Sequence, residues 1–111
     1  MTRHAVAASR IIVRMPAEID LINAADVAAE LTRAVDSGAR IVVADLSATV
    51  FCDCSAIGVL LSAAGTAAAS GAELLLVVGA GGRVRRLIDV LRLGQVLPIY
   101  PTLSAALSGR G

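Results

Sequence analysis

The sequence predicts an α/β fold: one domain on a mixed, mainly parallel sheet with helices packed against it. Three observations carry this. Segments of strand character alternate with segments of helical periodicity along the chain. The internal strand segments are apolar on both faces, as strands of a covered parallel sheet are. The 111 residues, 57% of them apolar, hold material for one core and not two.

Ile11–Met15 is a dense apolar run interrupted by Arg14 and closed by Pro16, and it reads as a strand. From Asn23 onward, Ala24, Val27, Ala28, Leu31, Ala34 and Val35 form one stripe at helical spacing. Asn23 stands where an N-cap belongs and Gly38 just past the end. Ile41–Ala44 is the next strand, ended by Asp45. A short loop, Leu46–Asp53, leads to a second helix with Ile57, Leu60, Leu61, Ala64 and Ala68 expected on its buried face and a stop near Gly71. Leu74–Val78 follows as a strand. A third helix sets Val84, Leu87, Ile88 and Leu91 on one side, Arg83, Arg85, Arg86 and Arg92 mostly elsewhere, and ends around Gly94. Val96–Ile99 is the last strand, and Thr102 caps a closing helix through Leu107. Residues 1–9 are expected as an N-terminal tail or edge strand, 10–107 as the domain and 108–111 as a C-terminal tail. The edge of Ile11–Met15 is a candidate for pairing between chains, which leaves a homo-oligomer open.

Composition removes several function classes. All ten basic residues are Arg, so Schiff-base and lysine-base chemistry is out. A net charge of +1 gives no pull toward nucleic acid or anionic lipid, and Phe51 and Tyr100 as the only aromatics make no stacking platform. The uncharged stretch Cys54–Ala72 has 19 residues, nominally enough to span a bilayer, but its Ser, Gly, Thr and Ala content marks a buried helix of a soluble protein. No apolar run of secretory-signal length follows Arg3 and His4 before Arg10, and a cytoplasmic protein is expected. With His4 as the one histidine, no catalytic triad assembles, and Cys52 and Cys54 lack further metal ligands. Neither an enzyme nor a cofactor nor a metal is expected. Gly79-Ala80-Gly81-Gly82 looks superficially like a dinucleotide loop, but Val84 stands where the sixth-position glycine belongs.

The most informative segment is Phe51-Cys52-Asp53-Cys54-Ser55-Ala56-Ile57-Gly58. Asp53, Cys54 and Ser55 fall where a loop becomes a helix, so unpaired N–H groups and the positive end of the helix dipole point at them. Such a place accepts an added phosphate, and the same pattern alone is also that of an ordinary helix cap. Cys54, a thiol at a helix start, also raises the option of redox control, which the adjacent Asp53 opposes. Cys52, on the strand side, reads as a small core residue.

This segment resembles the signature of the STAS domain of bacterial anti-sigma factor antagonists, an aromatic-containing strand end followed by Asp-Ser-Ser-Gly-Leu-Gly. Glu18-Ile19-Asp20 is similar to the family's Gly-Glu-Leu-Asp, Asp45-Leu46-Ser47 to its Asp-Leu-Ser, and Val84-Arg85-Arg86-Leu87 through Leu93 to its third helix. Leu97-Pro98-Ile99-Tyr100 is similar to its last strand, so the resemblance covers about residues 10–107.

The resemblance implies a binding switch. The unphosphorylated domain docks onto an anti-sigma factor, usually an ATP-binding serine kinase, frees the sigma factor and so regulates transcription; phosphorylation reverses this. The implied docking residues are Asp20, Asn23, Asp53, Cys54, Ser55, Ala56, Ile57 and Gly58, with the loop Asp45–Cys54 beside them. The family's acceptor is the serine after the Asp, and here that place holds Cys54. Ser55 is then the phosphorylation candidate, or phosphorylation is lost and binding is constitutive. Alternatives to this reading are a STAS subunit of a lipid-transporting ABC system and a sensor of nucleotides or anions. Neither direct nucleic-acid nor membrane binding is expected.

Overall fold

The computed structural model describes residues 2–7 and 9–109. In chain order they form β1 (Thr2–Ala7), β2 (Arg10–Arg14), β3 (Glu18–Ile19), α1 (Ala24–Asp36), β4 (Ile41–Asp45) and β5 (Phe51–Cys52). Then come α2 (Cys54–Ala69), β6 (Glu73–Val77), α3 (Gly82–Val90), a 3-10 turn at Leu93–Gln95, β7 (Ile99–Tyr100) and α4 (Leu103–Gly109). The main sheet has the order β1-β2-β4-β6-β7, with β1 antiparallel to β2 and every other pairing parallel. The α/β class and the mainly parallel sheet are as the sequence predicts.

Period-two alternation divides the sheet between two cores. Val13, Val42, Ala44, Leu74 and Leu76 face Val27, Leu31, Leu60 and Ile88 of the three crossover helices. Because the strand order advances steadily across β2, β4, β6 and β7, right-handed crossovers put those helices on one face. Ile12, Val43, Leu75 and Val77 face the other way, onto Ala106, Leu103 and Leu107 of α4. Thr102 caps α4 by accepting from the Ala105 N–H at 3.0 Å, and the helix extends past the expected Leu107 to Gly109.

Five details differ from the sequence reading. β1 covers the edge of β2, so the Ile11–Met15 segment is an internal strand and not an open edge for pairing between chains. The Leu46–Asp53 loop contains β5, which pairs in parallel with β3 as Glu18 with Phe51 and Ile19 with Cys52. This second sheet continues the β2–β4 pairing beyond the bend at Pro16: Val50 N–H donates to Ala17 O at 2.8 Å, and the buried Thr49 hydroxyl donates to Pro16 O at 2.8 Å. In α2 the buried stripe is Ala56, Leu60 and Ala67 with Ile57 beside it, while Leu61 is 40% exposed and Ala68 lies outside. Ile57 and Leu60 are buried as expected and Ala64 is half-buried, but the face is turned toward Ala56 and Ala67 by less than one residue's ~100°, because an alanine-rich helix offers nearly equal apolar faces. α3 ends at Val90 and leaves Leu91 47% exposed. Finally the last strand starts after Pro98, which has no N–H to give; its carbonyl accepts from Leu76 N–H at 3.0 Å, and Val96 stays outside on the turn.

Candidate functional site

All the parallel strands end at the same side of the sheet, and there α2 begins. Asp53 is its N-cap: the carboxylate Oδ1 accepts from Ser55 N–H at 2.9 Å and also from the Ser55 hydroxyl. Asp53 N–H donates to Ile19 O at 3.2 Å, and the carboxylate takes a further hydrogen bond from Leu21 N–H. The turn between β3 and α1 is thereby fastened to the start of α2. The hydrogen bond from the Ser55 hydroxyl is the main cause that holds the Asp53 carboxyl below its ordinary value; backbone N–H groups of Ser55, Ala56 and Leu21 act the same way against partial dehydration.

Asp20 and Asn23 stand next to this cap and are bonded to each other. Asn23 Oδ1 accepts from Asp20 N–H at 3.0 Å, Asp20 Oδ1 accepts from Ile22 N–H at 3.0 Å and Asn23 N–H at 3.2 Å, and Asn23 Nδ2 donates to Glu18 O at 2.7 Å. Asn23 occupies the N-cap position of α1, as the sequence predicts, but its side chain bonds backward into the turn and not forward into the helix. The turn is held by these hydrogen bonds, and its two central side chains are exposed, Leu21 at 80% and Ile22 at 93%.

The structure therefore sorts the implied docking residues. Cys54 and Gly58 are exposed, and Asp20, Asn23, Asp53 and Ser55 are half-buried beside them. Ala56 and Ile57 are core residues, 1% and 7% exposed, and support the surface from beneath without presenting atoms to a partner. In the preceding loop Asp45, Leu46 and Thr49 are also buried, with Asp45 Oδ1 accepting from Ser47 N–H at 3.0 Å. Leu21, Ile22, Val50 and Phe51 flank the site as exposed apolar side chains; Val50 and Phe51 lie in the loop that the sequence named, whereas Leu21 and Ile22 were missed. A signal existed: Leu21 and Ile22 sit between two turn-forming residues and outside the buried stripe of α1.

The two thiols have different surroundings. Cys52 is buried, and burial pushes its pKa up, reinforced by the charge of Asp53 and by Cys54. Cys54 is exposed in the first turn of α2. Among the described residues no group of three His, Cys, Asp or Glu side chains is placed to hold a metal ion, and no helix is long and apolar enough to cross a membrane. Gly79–Gly82 lines a cavity of about 280 Å³ together with Ser47, Thr49 and the start of α3. Gly81 and Gly82 both take positive φ there, so the loop shape needs glycine.

The STAS domain pattern matches residues 2–106. This chain belongs to the STAS domain family. No curated protein matches the sequence. Among solved STAS-like structures, an anti-sigma factor antagonist from Mycobacterium paratuberculosis superposes with a TM-score of 0.86 at 25% identity, covering 97% of this chain and 92% of that one. A putative anti-sigma factor antagonist from Thermotoga maritima gives 0.82 at 21% identity, with 95% and 90% coverage. The same fold occurs in a sulfate transporter family protein from Wolinella succinogenes, at 0.76 and 15% identity over 95% and 87% of the two chains. The STAS fold is thus found in regulators and in transporters, and the choice between them rests on the surface.

Proposed function

We propose that this STAS domain is an anti-sigma factor antagonist, docking onto an anti-sigma factor of the ATP-binding serine-kinase type through the start of α2 and the turn between β3 and α1. The observation that carries this reading is the surface. A capped helix start with Cys54 and Gly58 outermost is flanked by the exposed Leu21, Ile22, Val50 and Phe51. Transient protein contacts use a small apolar patch with a polar rim, and these exposed apolar side chains beside a hydrogen-bonded helix start supply both parts. The 25% identity to an antagonist over nearly the full chain supports the same reading.

Ser55 is the phosphorylation candidate, since a serine kinase has no hydroxyl to modify at Cys54. A phosphate on Ser55 adds about −1.5 to −2 charges against the Asp53 carboxylate, replacing the hydrogen bond between them with repulsion. Modification would loosen the cap and expel a partner from the same surface.

The test mixes the purified chain with each kinase-type anti-sigma factor of its own genome, in ADP and in ATP. Calorimetry reads complex formation, and intact mass reads phosphate transfer. A complex that releases bound sigma factor supports the reading. Absence of any complex, or stable association with ABC-transporter subunits in its place, overturns it. In ATP, one added phosphate on Ser55 identifies the acceptor, whereas an unchanged mass with the complex retained means that the domain is constitutively competent and Ser55 is not a switch.

A further inference from the structure

α3 is amphipathic in an unusual sense, because both of its sides carry apolar residues. Val84 and Ile88 are buried and Leu87 is half-buried. On the outer side Arg83, Arg86, Leu87 and Val90 line a shallow groove of about 400 Å³. Their spacing of i, i+3, i+4 and i+7 makes them one stripe along the helix. Val90 is 72% exposed, and the exposed Leu91 lies beside it at the helix end.

The charges on this stripe stand at the wrong end for helix stability. The first turns of α3 carry Arg83 and Arg86 and no acidic residue, although the N-terminal end of a helix favours negative charge. Neither arginine forms an ion pair with a described residue, in contrast to Arg85, which holds Asp89 at 3.0 Å on a different flank. Two guanidiniums with no ion-pair partner among the described residues, one in the first turn and one in the second, followed on the same face by exposed apolar side chains, add nothing to the fold taken alone. A ligand with carboxylates over Arg83 and Arg86 would be attracted by both the guanidiniums and the helix dipole, while its apolar side covers Leu87, Val90 and Leu91.

We propose that the outer face of α3 is a second docking surface, and that its occupant is an acidic amphipathic helix of a partner protein. Such a helix needs two carboxylates about one turn apart and apolar residues continuing along the same face. A phosphate backbone would leave the apolar half uncovered, and one short helix with three aliphatic residues is a poor membrane anchor. The inference goes beyond the role given to the start of α2 and holds whether or not that role does.

The test selects peptides from a displayed library of random helical sequences against the intact chain, then measures affinities by fluorescence anisotropy. The expected result is enrichment of acidic amphipathic peptides whose binding weakens with salt and falls at least about tenfold in Arg83→Glu/Arg86→Glu and in Val90→Ser/Leu91→Ser. All four side chains lie on the outer stripe or at its end, and a thermal melt checks that both variants stay folded. Enriched peptides that are not acidic, or that bind the charge-reversed variant as tightly as wild type, overturn the proposal. Equal binding of a scrambled peptide with the same charge does so too, as does tighter binding of anionic vesicles or single-stranded RNA than of any selected peptide.

Discussion

Ser55 donates twice to one oxygen of Asp53, through its backbone N–H at 2.9 Å and through its hydroxyl. The two residues close a loop around Cys54, which is left on the outside. This geometry makes the cap sensitive to acid. The Asp53 carboxyl titrates below its ordinary value in the folded protein, so the folded state prefers it ionised. Its contribution is fully present above the unfolded value of about 3.9 and is lost as pH falls through the lower folded value. Asn keeps the capping shape without the charge. The difference in Tm between wild type and Asp53→Asn is therefore expected to be largest near neutral pH and to close in that acid window; a difference independent of pH would contradict the charge-assisted cap. Ser55→Ala should move the carboxyl back toward its ordinary value in an NMR titration.

The thiols give a second check. Cys54 is open to solvent, whereas Cys52 is buried with its pKa raised by burial first and by Asp53 second. A thiol reagent at neutral pH is expected to modify one cysteine rapidly, and peptide mapping should place the label on Cys54. Cys52 should react only on unfolding or slowly at alkaline pH, where the thiolate first becomes populated. Equal rates at both positions would mean that β5 is not packed as described.

Much of this fold was legible because its strands announce themselves. Ile41–Ala44 and Leu74–Val78 are continuous apolar runs, and the stripe through Val27, Leu31, Ala34 and Val35 is buried as its spacing requires. The failures have a common cause, which is weak local signal. β3 and β5 are two residues each and exist through pairing with one another, a contact between Glu18–Ile19 and Phe51–Cys52 that no local pattern encodes. In α2, alanines on several faces flatten the periodicity, so that Ile57 and Leu60 are buried as expected but Leu61 and Ala68 give way to Ala56 and Ala67. For the site, Asp53 and Ser55 were legible as cap chemistry and Asn23 as the entry to α1, while the turn that Asp20 and Asn23 build between them was not. Burial of Ile57 was legible from the helical spacing, but burial of Ala56 was not, because the family motif runs through the first turn without saying which side of the helix faces inward.

The slip in α2 can be tested by stability. Leu60 is 1% exposed and packed in the main core, so Leu60→Ala should cost ~2–5 kcal/mol of unfolding free energy. Leu61, the next residue, is 40% exposed, and Leu61→Ala should cost well under half of that. Urea unfolding with unchanged slope and shifted midpoint reads both. Similar losses at the two positions would restore the face that includes Leu61.

Docking and support make opposite demands on neighbouring residues. Ile22 touches little of its own chain at 93% exposure, so Ile22→Ser should leave stability within about ±0.5 kcal/mol. If the turn between β3 and α1 meets the anti-sigma factor, the same change should weaken binding by more than about 1 kcal/mol, several-fold in Kd. Ile57→Ala is the converse case. At 7% exposure it removes core volume and should cost ~2–5 kcal/mol of stability, yet at a temperature where the variant is fully folded its affinity should stay near wild type. Calorimetric titration of both variants against the same anti-sigma factor separates the roles. An Ile57→Ala protein that is folded but does not bind, beside an Ile22→Ser protein that binds normally, would move the contact from the turn onto the body of α2.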